Sequence, residues 1–252
     1  KYDIFISAKQ AGLNIGILSS LIQAGALSSY KTNRSLLVLE AQAFNLLTDR
    51  EKRNFYILGE KFDFNLLKSI AAAKNEGLVG DDGRKIMAPS RFETFKKKFD
   101  LYKKIYEKNK RYESFANWYF ESKLLGYSYT CRLNKIFSCA GNTFRDTLYF
   151  NSLEKDSSDR FIGTVTDIIK RKSRNGNSYV KMSISDEVGT MDAMIGDFGN
   201  RRSLSKYTDK GGKIPEKGNI ISIIGRKGED ILFASDLNIL DQKIYMKLSE
   251  IN

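Results

Sequence analysis

Residues 161–195 read FIGTVTDIIKRKSRNGNSYVKMSISDEVGTMDAMI, and the fold of the last third of the chain turns on this stretch. Val180, Met182 and Ile184 alternate with Tyr179, Lys181 and Ser183, the two-residue period of a strand with one buried face. Before them, residues 161 to 172 read as a strand ending in Lys170-Arg171-Lys172. Ser173-Arg174-Asn175-Gly176-Asn177 joins the two as a hairpin loop whose Asn-Gly pair supplies positive φ. Ser185-Asp186-Glu187-Val188-Gly189 is a second turn, and Thr190 to Ile195 a third strand.

Working outward, a polar, glycine-containing segment with a short helical piece runs from Asp197 to Lys217. Asn219 to Arg226 and Asp230 to Leu237, joined by Lys227-Gly228-Glu229, add two more strands. Three short strands, an insertion and two further strands are the signature of a five-stranded OB barrel. Upstream of Arg160 the apolar period becomes 3.6. Tyr2, Phe5 and Ile6 begin one short helix and Ile15, Leu18, Leu21 and Ile22 a second, with Gly12 in the link and Gly25 at the end. Helical patterning continues to about Asn75. Residues 77 to 90 form a glycine-rich loop, and residues 91 to 122 read as one long helix or two collinear ones. Phe92, Phe95, Phe99, Tyr102 and Tyr106 make one stripe on it, with lysines around the rest of the circumference. Such a stripe ordinarily faces a core. The expected class is α+β: an all-helical N-terminal region with a helix-hairpin-helix, then the barrel. The expected divisions are 1–50 (helix-hairpin-helix), 51–158 (helical linker domain), 159–240 (OB domain) and 241–252 (tail).

The formal charge is +12, from 42 Lys and Arg against 30 Asp and Glu, which attracts polyanions; a lysine-favouring AT-rich coding sequence would produce the same excess. It is spread along the chain, with 26 basic and 18 acidic residues through Asp159 and 16 and 12 beyond it. Histidine is absent and there are two cysteines, so a four-ligand zinc site and Ser-His or Cys-His catalysis are excluded. Two thiols in a chain this long, with no apolar run of bilayer length, point to the cytoplasm and to no membrane partner. The carboxylate pairs Asp81-Asp82 and Asp186-Glu187 stand in turns without a third acidic partner. They read as solvated, so no catalytic residue, metal ligand or cofactor is expected in this chain.

Local charge is densest between Asp167 and Asp186, where Lys170, Arg171, Lys172, Arg174 and Lys181 have no acidic residue among them. Cations on the first hairpin of an OB barrel, beside Tyr179 on the face away from Val180 and Met182, make a site for single-stranded nucleic acid. There the cations meet phosphates and the ring stacks a base. A hairpin loop is also charged for solubility alone. Arg201-Arg202 and Arg226-Lys227 extend the basic track. In the helical link, Gly12, Asn14 and Gly16 suit a helix-hairpin-helix, in which backbone N–H groups at the second helix hold a duplex phosphate.

Leu21-Ile22-Gln23-Ala24-Gly25-Ala26-Leu27 with Asn33-Arg34 and Leu36-Leu37 resembles the end of the helix-hairpin-helix region in the alpha subunit of bacterial DNA polymerase III, a C-family polymerase. Glu121-Ser122-Lys123-Leu124-Leu125-Gly126-Tyr127 resembles the segment before that family's OB domain. Gly163-Thr164-Val165, Gly176, Ser185-Asp186-Glu187-Val188-Gly189 and Gly225 fall where that domain has glycines and an acidic turn. Here Ser128-Tyr129-Thr130-Cys131 replaces the family's Gly-His-Pro-like turn, and Leu13-Asn14 stands where a strong helix-hairpin-helix has its second glycine. The resemblance implies the DNA-binding C-terminal part of a replicative, bacterial or phage-type polymerase. It also implies Mg2+ only in a palm that this chain lacks, and single-stranded and primer-template DNA as partners, with a sliding clamp or other replisome subunits. Two other readings fit the residues: a tRNA-binding OB module like that of a class II aminoacyl-tRNA synthetase, and an interaction scaffold working through the helix from Phe92 to Tyr106.

Overall fold

A computed structural model describes residues 1–138, 143–198 and 201–240; the side chains of residues 108, 109, 111 and 201 also lie outside the description, as does the expected tail 241–252. The architecture is α+β, a helical unit followed by a closed barrel. The chain divides into two compact units between Gly126 and Tyr127, inside the span expected as one helical linker domain.

The first unit holds α1 (Tyr2–Gln10), α2 (Ile15–Gln23), α3 (Arg34–Asn45), α4 (Asp49–Ile57), α5 (Leu66–Asn75), α6 (Pro89–Asn109) and α7 (Glu113–Leu125). One core joins them: Tyr2 and Phe5 of α1, Ile22 of α2, Leu37 and Phe44 of α3, Phe55 of α4, Leu66 and Ile70 of α5, Phe95 of α6 and Phe120 of α7. The helix-hairpin-helix span 1–50 therefore shares its core with the residues after it. The aromatic stripe of α6 does what its spacing predicts: Phe95 is buried, and Phe92, Phe99 and Tyr102 pack against the core. The expected 91–122 helix is two helices separated by a 3-10 turn at Lys110–Tyr112. The loop at 77–90 is closed by pairing of Val79 with Lys85. It is pinned by Asp82, whose two oxygens accept from Arg50 Nε and Nη2 at 2.8 Å each. That Asp82 carboxyl titrates at about 2, chiefly through the Arg50 hydrogen bonds.

The second unit opens with α8 (Leu133–Phe137) and α9 (Tyr149–Ser152), followed by β1 (Ser158–Lys172), β2 (Ser178–Ser185), β3 (Thr190–Phe198), the two-residue β4 (Arg201–Arg202), α10 (Ser203–Asp209), β5 (Ile220–Lys227) and β6 (Ile231–Ile239). Pairing runs β2-β1-β5-β6-β3-β4, and a further β2–β3 pairing closes five of these strands into a barrel. All pairs are antiparallel except β3 with β6. This order, with α10 between the third and fourth barrel strands, is OB-like.

β1 makes closure possible. Ser158 to Thr164 pair with β5, and Thr164 to Lys172 pair with β2. At the corner the strand carries an irregularity between Val165 and Asp167, a bulge of the kind that bends a strand and increases its twist. A Cβ on Gly163 would sit 2.6 Å from Ile184 Cγ2 and 2.8 Å from Ser185 O, so the strands cross closely only because nothing is there. Phe161, Val165, Val180, Met182, Ile184, Ala193, Ile195, Ile221, Ile223 and Leu232 fill the interior, with Phe150 of α9 and Leu204 of α10 added to it.

The acidic turn expected as solvated is instead a structural staple. Asp186 accepts from Thr147 N and Thr147 Oγ1, both at 2.7 Å, and from Val188 N at 3.0 Å and Gly189 N at 3.1 Å. Glu187 accepts from Leu133 N at 3.2 Å. Because Thr147 is 1 % exposed, removing Asp186 strands two buried donors. Asp186→Ala is expected to cost about 2–4 kcal/mol, the range for losing charge-assisted hydrogen bonds to buried groups. A urea midpoint unchanged from the parent would show that the turn holds without the staple.

Candidate nucleic-acid interface

The exposed face of the barrel follows from strand register, because directly paired residues point to the same side of a sheet. β2 and β3 alternate cleanly: Val180, Met182, Ile184, Met191, Ala193 and Ile195 point inward, while Tyr179, Lys181, Ser183, Asp192, Met194 and Phe198 face out. Arg171 of β1 pairs with Tyr179, which pairs with Gly196. The next row runs Ile169, Lys181, Met194, and on through Phe233 of β6 to Arg226 of β5 and Ser158 of β1. One lateral band of outward residues therefore crosses β1, β2, β3, β6 and β5.

Three aromatic rings stand in or beside this band. Tyr179 and Phe198 lie 6.0 Å apart between centroids, tilted by 40°. A Cβ on Gly196 would meet Phe198 Cε2 at 2.4 Å and Tyr179 Cβ at 2.7 Å, so Phe198 lies back over the bare backbone at Gly196. Phe233 and Phe198 both line a groove with Met194 and Arg226. The aromatic pair therefore depends on a glycine opposite Tyr179; both rings are half-buried, and aromatic rings on a sheet surface are the elements that stack unpaired bases. Phe198, Phe233 and Met194 were missed in the sequence. Their signal was the same two-residue alternation, continued past Ile195 and into the last strand.

The sequence-chosen residues fall in different environments. Arg171, Tyr179 and Lys181 share the outward face. Lys170 and Lys172 pair with Val180 and Ser178, so they lie on the opposite face of the same hairpin. Arg174 is exposed in the loop, where Gly176 has φ +77° and Ser173 N donates to Asn177 O at 2.8 Å. Lys227 is turned elsewhere: its Nζ donates to Asn151 O at 3.0 Å and Leu153 O at 2.7 Å and sits 5.0 Å over the Phe150 ring. Arg202 is exposed beside β3, and the Arg201 side chain lies outside the described residues.

Lys181 is also paired, its Nζ 2.6 Å from Asp192 Oδ2, while Ser183 Oγ donates to Asp192 Oδ1 at 2.7 Å. Burial raises the Asp192 carboxyl, and the Lys181 and Ser183 hydrogen bonds outweigh it, leaving it below the ordinary carboxylate range. The carboxylate is thus charged at neutral pH and holds one of the face's cations.

In the helical unit, Gly12 takes φ +78° in the link between α1 and α2. Asn14 caps α2, its side-chain oxygen accepting from Ile17 N at 2.9 Å, and a Cβ on Gly16 would lie 3.2 Å from that same oxygen. The helix-link-helix is formed, with one N–H of its second helix taken by the chain's own side chain. Among the described residues no group of three or more His, Cys, Asp or Glu could hold a metal ion, and no helix is long and apolar enough to cross a membrane.

Fold and site together define a chain with a helical unit and an OB-like barrel whose outer face carries aromatic rings and cations. No family model matches the sequence, and no curated protein matches it. Among solved structures, the chain is similar to the mitochondrial single-stranded DNA-binding protein Rim1 of S. cerevisiae (16 % identity, 35 % of this chain and 98 % of that one, TM-score 0.28). It is similar to the single-stranded DNA-binding protein of Thermus aquaticus (19 %, 33 % of this chain and 40 % of that one, TM-score 0.27). A third is a ZRD-deleted mutant of TiaS in complex with agmatine (19 %, 35 % of this chain and 22 % of that one, TM-score 0.27).

The Lys181–Asp192 pair yields a prediction about the face as an anion site. Asp192→Asn removes a negative charge and releases Lys181, so polyanion binding should strengthen. The slope of log K against log salt should steepen by about 0.7 if Lys181 takes one single-strand phosphate. An unchanged slope in a titration from low to moderate salt would place Lys181 off the binding path.

Proposed function

We propose that the outer face of the barrel binds single-stranded DNA without reading its sequence, with Tyr179 and Phe198 stacking bases, Arg171 and Arg174 neutralising phosphates, and Lys181 held back by its pair with Asp192. The observation that carries this reading is the register that sets Arg171, Tyr179 and Gly196 in one row, with the Phe198 ring folded over that glycine. Rings beside cations on an exposed sheet suit a single strand, whose bases are free to stack, better than a duplex, whose bases are already stacked. Arg202 and Arg226 would let a longer strand continue past this core, while Lys170 and Lys172 stand on the opposite face of the hairpin.

The polymerase resemblance supplies the setting: the barrel would hold template strand for a C-family replicative polymerase, and the α1–α2 link would contact the duplex backbone through Gly12, Asn14 and Gly16. Two of the segments that carry the resemblance meet within the helical unit, where Arg34 Nη1 donates to Glu121 Oε1 at 2.6 Å and to Gln23 O at 3.0 Å. These residues hold the fold together, which accounts for their presence without giving them a DNA contact. Magnesium and the nucleotidyl-transfer chemistry would belong to a palm elsewhere, and a sliding clamp or other replisome subunits would be the protein partners.

The two kinds of contact fail differently, so the test separates them. Arg171→Ala with Arg174→Ala should flatten the salt slope for an oligothymidylate by about 1.4, roughly 0.7 per phosphate contact. Lys170→Ala with Lys172→Ala, on the opposite face, should change it by less than half as much. Tyr179→Ala should weaken binding by about 1–3 kcal/mol with little change of slope. Melting curves confirm that each variant folds, and duplex DNA and tRNA run as competitors. If the Arg171 and Arg174 variant folds and keeps the parent's affinity and slope, this face is not the DNA path; tighter binding of tRNA than of single-stranded DNA would move the reading to an RNA-handling module.

A further inference from the structure

Beside the Tyr179–Phe198 pair the outer face sinks into a groove of about 530 Å3 lined by Ser158, Met194, Phe198, Ser203, Arg226 and Phe233. That volume is within the range of roughly 300–1,000 Å3 typical of pockets that take small molecules. Its walls are largely apolar: Met194 pairs with Phe233, and Phe198 stands four residues along β3 from Met194, on the same face. Its polar side chains are the Ser158, Ser203 and Ser235 hydroxyls, the last donating to Ile224 O at 3.2 Å, and the Arg226 guanidinium. Arg226 is paired with the carboxylate of Asp156, to which Nη1 donates. The Arg226 side chain keeps 39 % of its surface exposed, so its fork can meet an acceptor brought by a ligand.

We infer that this groove captures one nucleobase of the bound strand, edge-on between Phe233 and Phe198 with its carbonyl acceptors toward Arg226, and so fixes the register of the strand on the barrel. The inference rests on the reading of the outer face as a single-strand site. Phe198 joins the two features, since it packs against Tyr179 and also lines the groove. A strand stacked on Tyr179 is thereby led toward the groove, and covalent connection supplies the next base at high local concentration. Planar apolar walls with a guanidinium at one edge match a nucleobase better than an aliphatic side chain or a phosphate. A base has flat faces to stack and acceptors on its rim, whereas phosphate would gain nothing from Phe233 and Met194.

The test uses the full chain and the shortest oligothymidylate that retains full affinity, with a single abasic residue moved through it. The expected result is one position at which the abasic residue costs roughly ten-fold more affinity than at any other, consistent with the loss of one fully enclosed stacked base. Met194→Trp, which fills the groove, should make the loss equal at every position. Arg226→Lys, which keeps the charge and the Asp156 partner but loses the planar fork, should reduce the extra loss at that one position. An even loss along the oligonucleotide in the parent, with Tyr179→Ala still weakening binding, overturns the captured base and leaves the single-strand reading intact. Binding indifferent both to Tyr179→Ala and to abasic residues everywhere overturns that reading itself.

Discussion

Everything the barrel offers to a ligand depends on one strand being made to belong to two sheets. β1 pairs with β5 through its first half and with β2 through its second, and the change of partner demands a bend that an evenly pleated strand resists. The bend is met by removing a side chain at Gly163, where any Cβ would collide with Ile184 and Ser185, and by the bulge after Val165. Past that corner the strand covers little of the core, with Ile168 partly buried against it. Its last residues, from Thr166 onward, are largely exposed, and that is where Lys170, Arg171 and Lys172 stand. The basic hairpin projects because the strand that carries it has finished its structural work.

A second constraint keeps the barrel's far turn in place. Asp186 gathers four hydrogen bonds, two of them from Thr147, so the segment before the barrel is bound to the β2–β3 turn. Lys227 does similar work at the other end, donating to two carbonyls beside α9. These are charged residues spent on backbone donors and acceptors. Their energetic weight comes from desolvated partners such as Thr147, because leaving those partners unmatched is costly. Opposing strands carry the same economy at the surface: Asp192 orders Lys181 and Ser183 across β2 and β3, and in doing so tempers the positive field of the face.

The face mixes two kinds of attraction with different ranges. Cations at the hairpin act over roughly a Debye length, about 8–10 Å at ordinary salt, and on the proposed reading would draw in a strand of any sequence. The rings of Tyr179, Phe198 and Phe233 would act only on contact and only on bases that are not already stacked. Together they would favour a single strand over a duplex, the first by charge and the second by the cost of unstacking. The helical unit carries a charge excess of its own, yet its aromatic stripe on α6 packs against the core.

Much of this was legible in the sequence because it follows from period. The alternation of Tyr179 to Ile184, the Asn-Gly loop and the three-plus-two spacing of the strands specify a small barrel, and the step of three and four from Phe92 to Tyr106 specifies a buried helical stripe. These are local properties, set by the 2.0 and 3.6 residue repeats of backbone geometry. What the sequence could not decide is which cations share a side and which are engaged. Lys172 and Arg171 are neighbours in sequence and point to opposite faces of the hairpin; Arg226 and Lys227 are neighbours too, one at the groove and the other bonded to carbonyls near α9. Asp186 and Glu187 looked like a solvated pair because Thr147 and Leu133, which they bind, are 39 and 54 residues away. Phe233 joins Met194 only through the parallel pairing of β3 with β6, a contact that exists once the barrel has closed. Period determined the elements and the composition of the face; closure of the sheet, a long-range event, decided which residues meet on it.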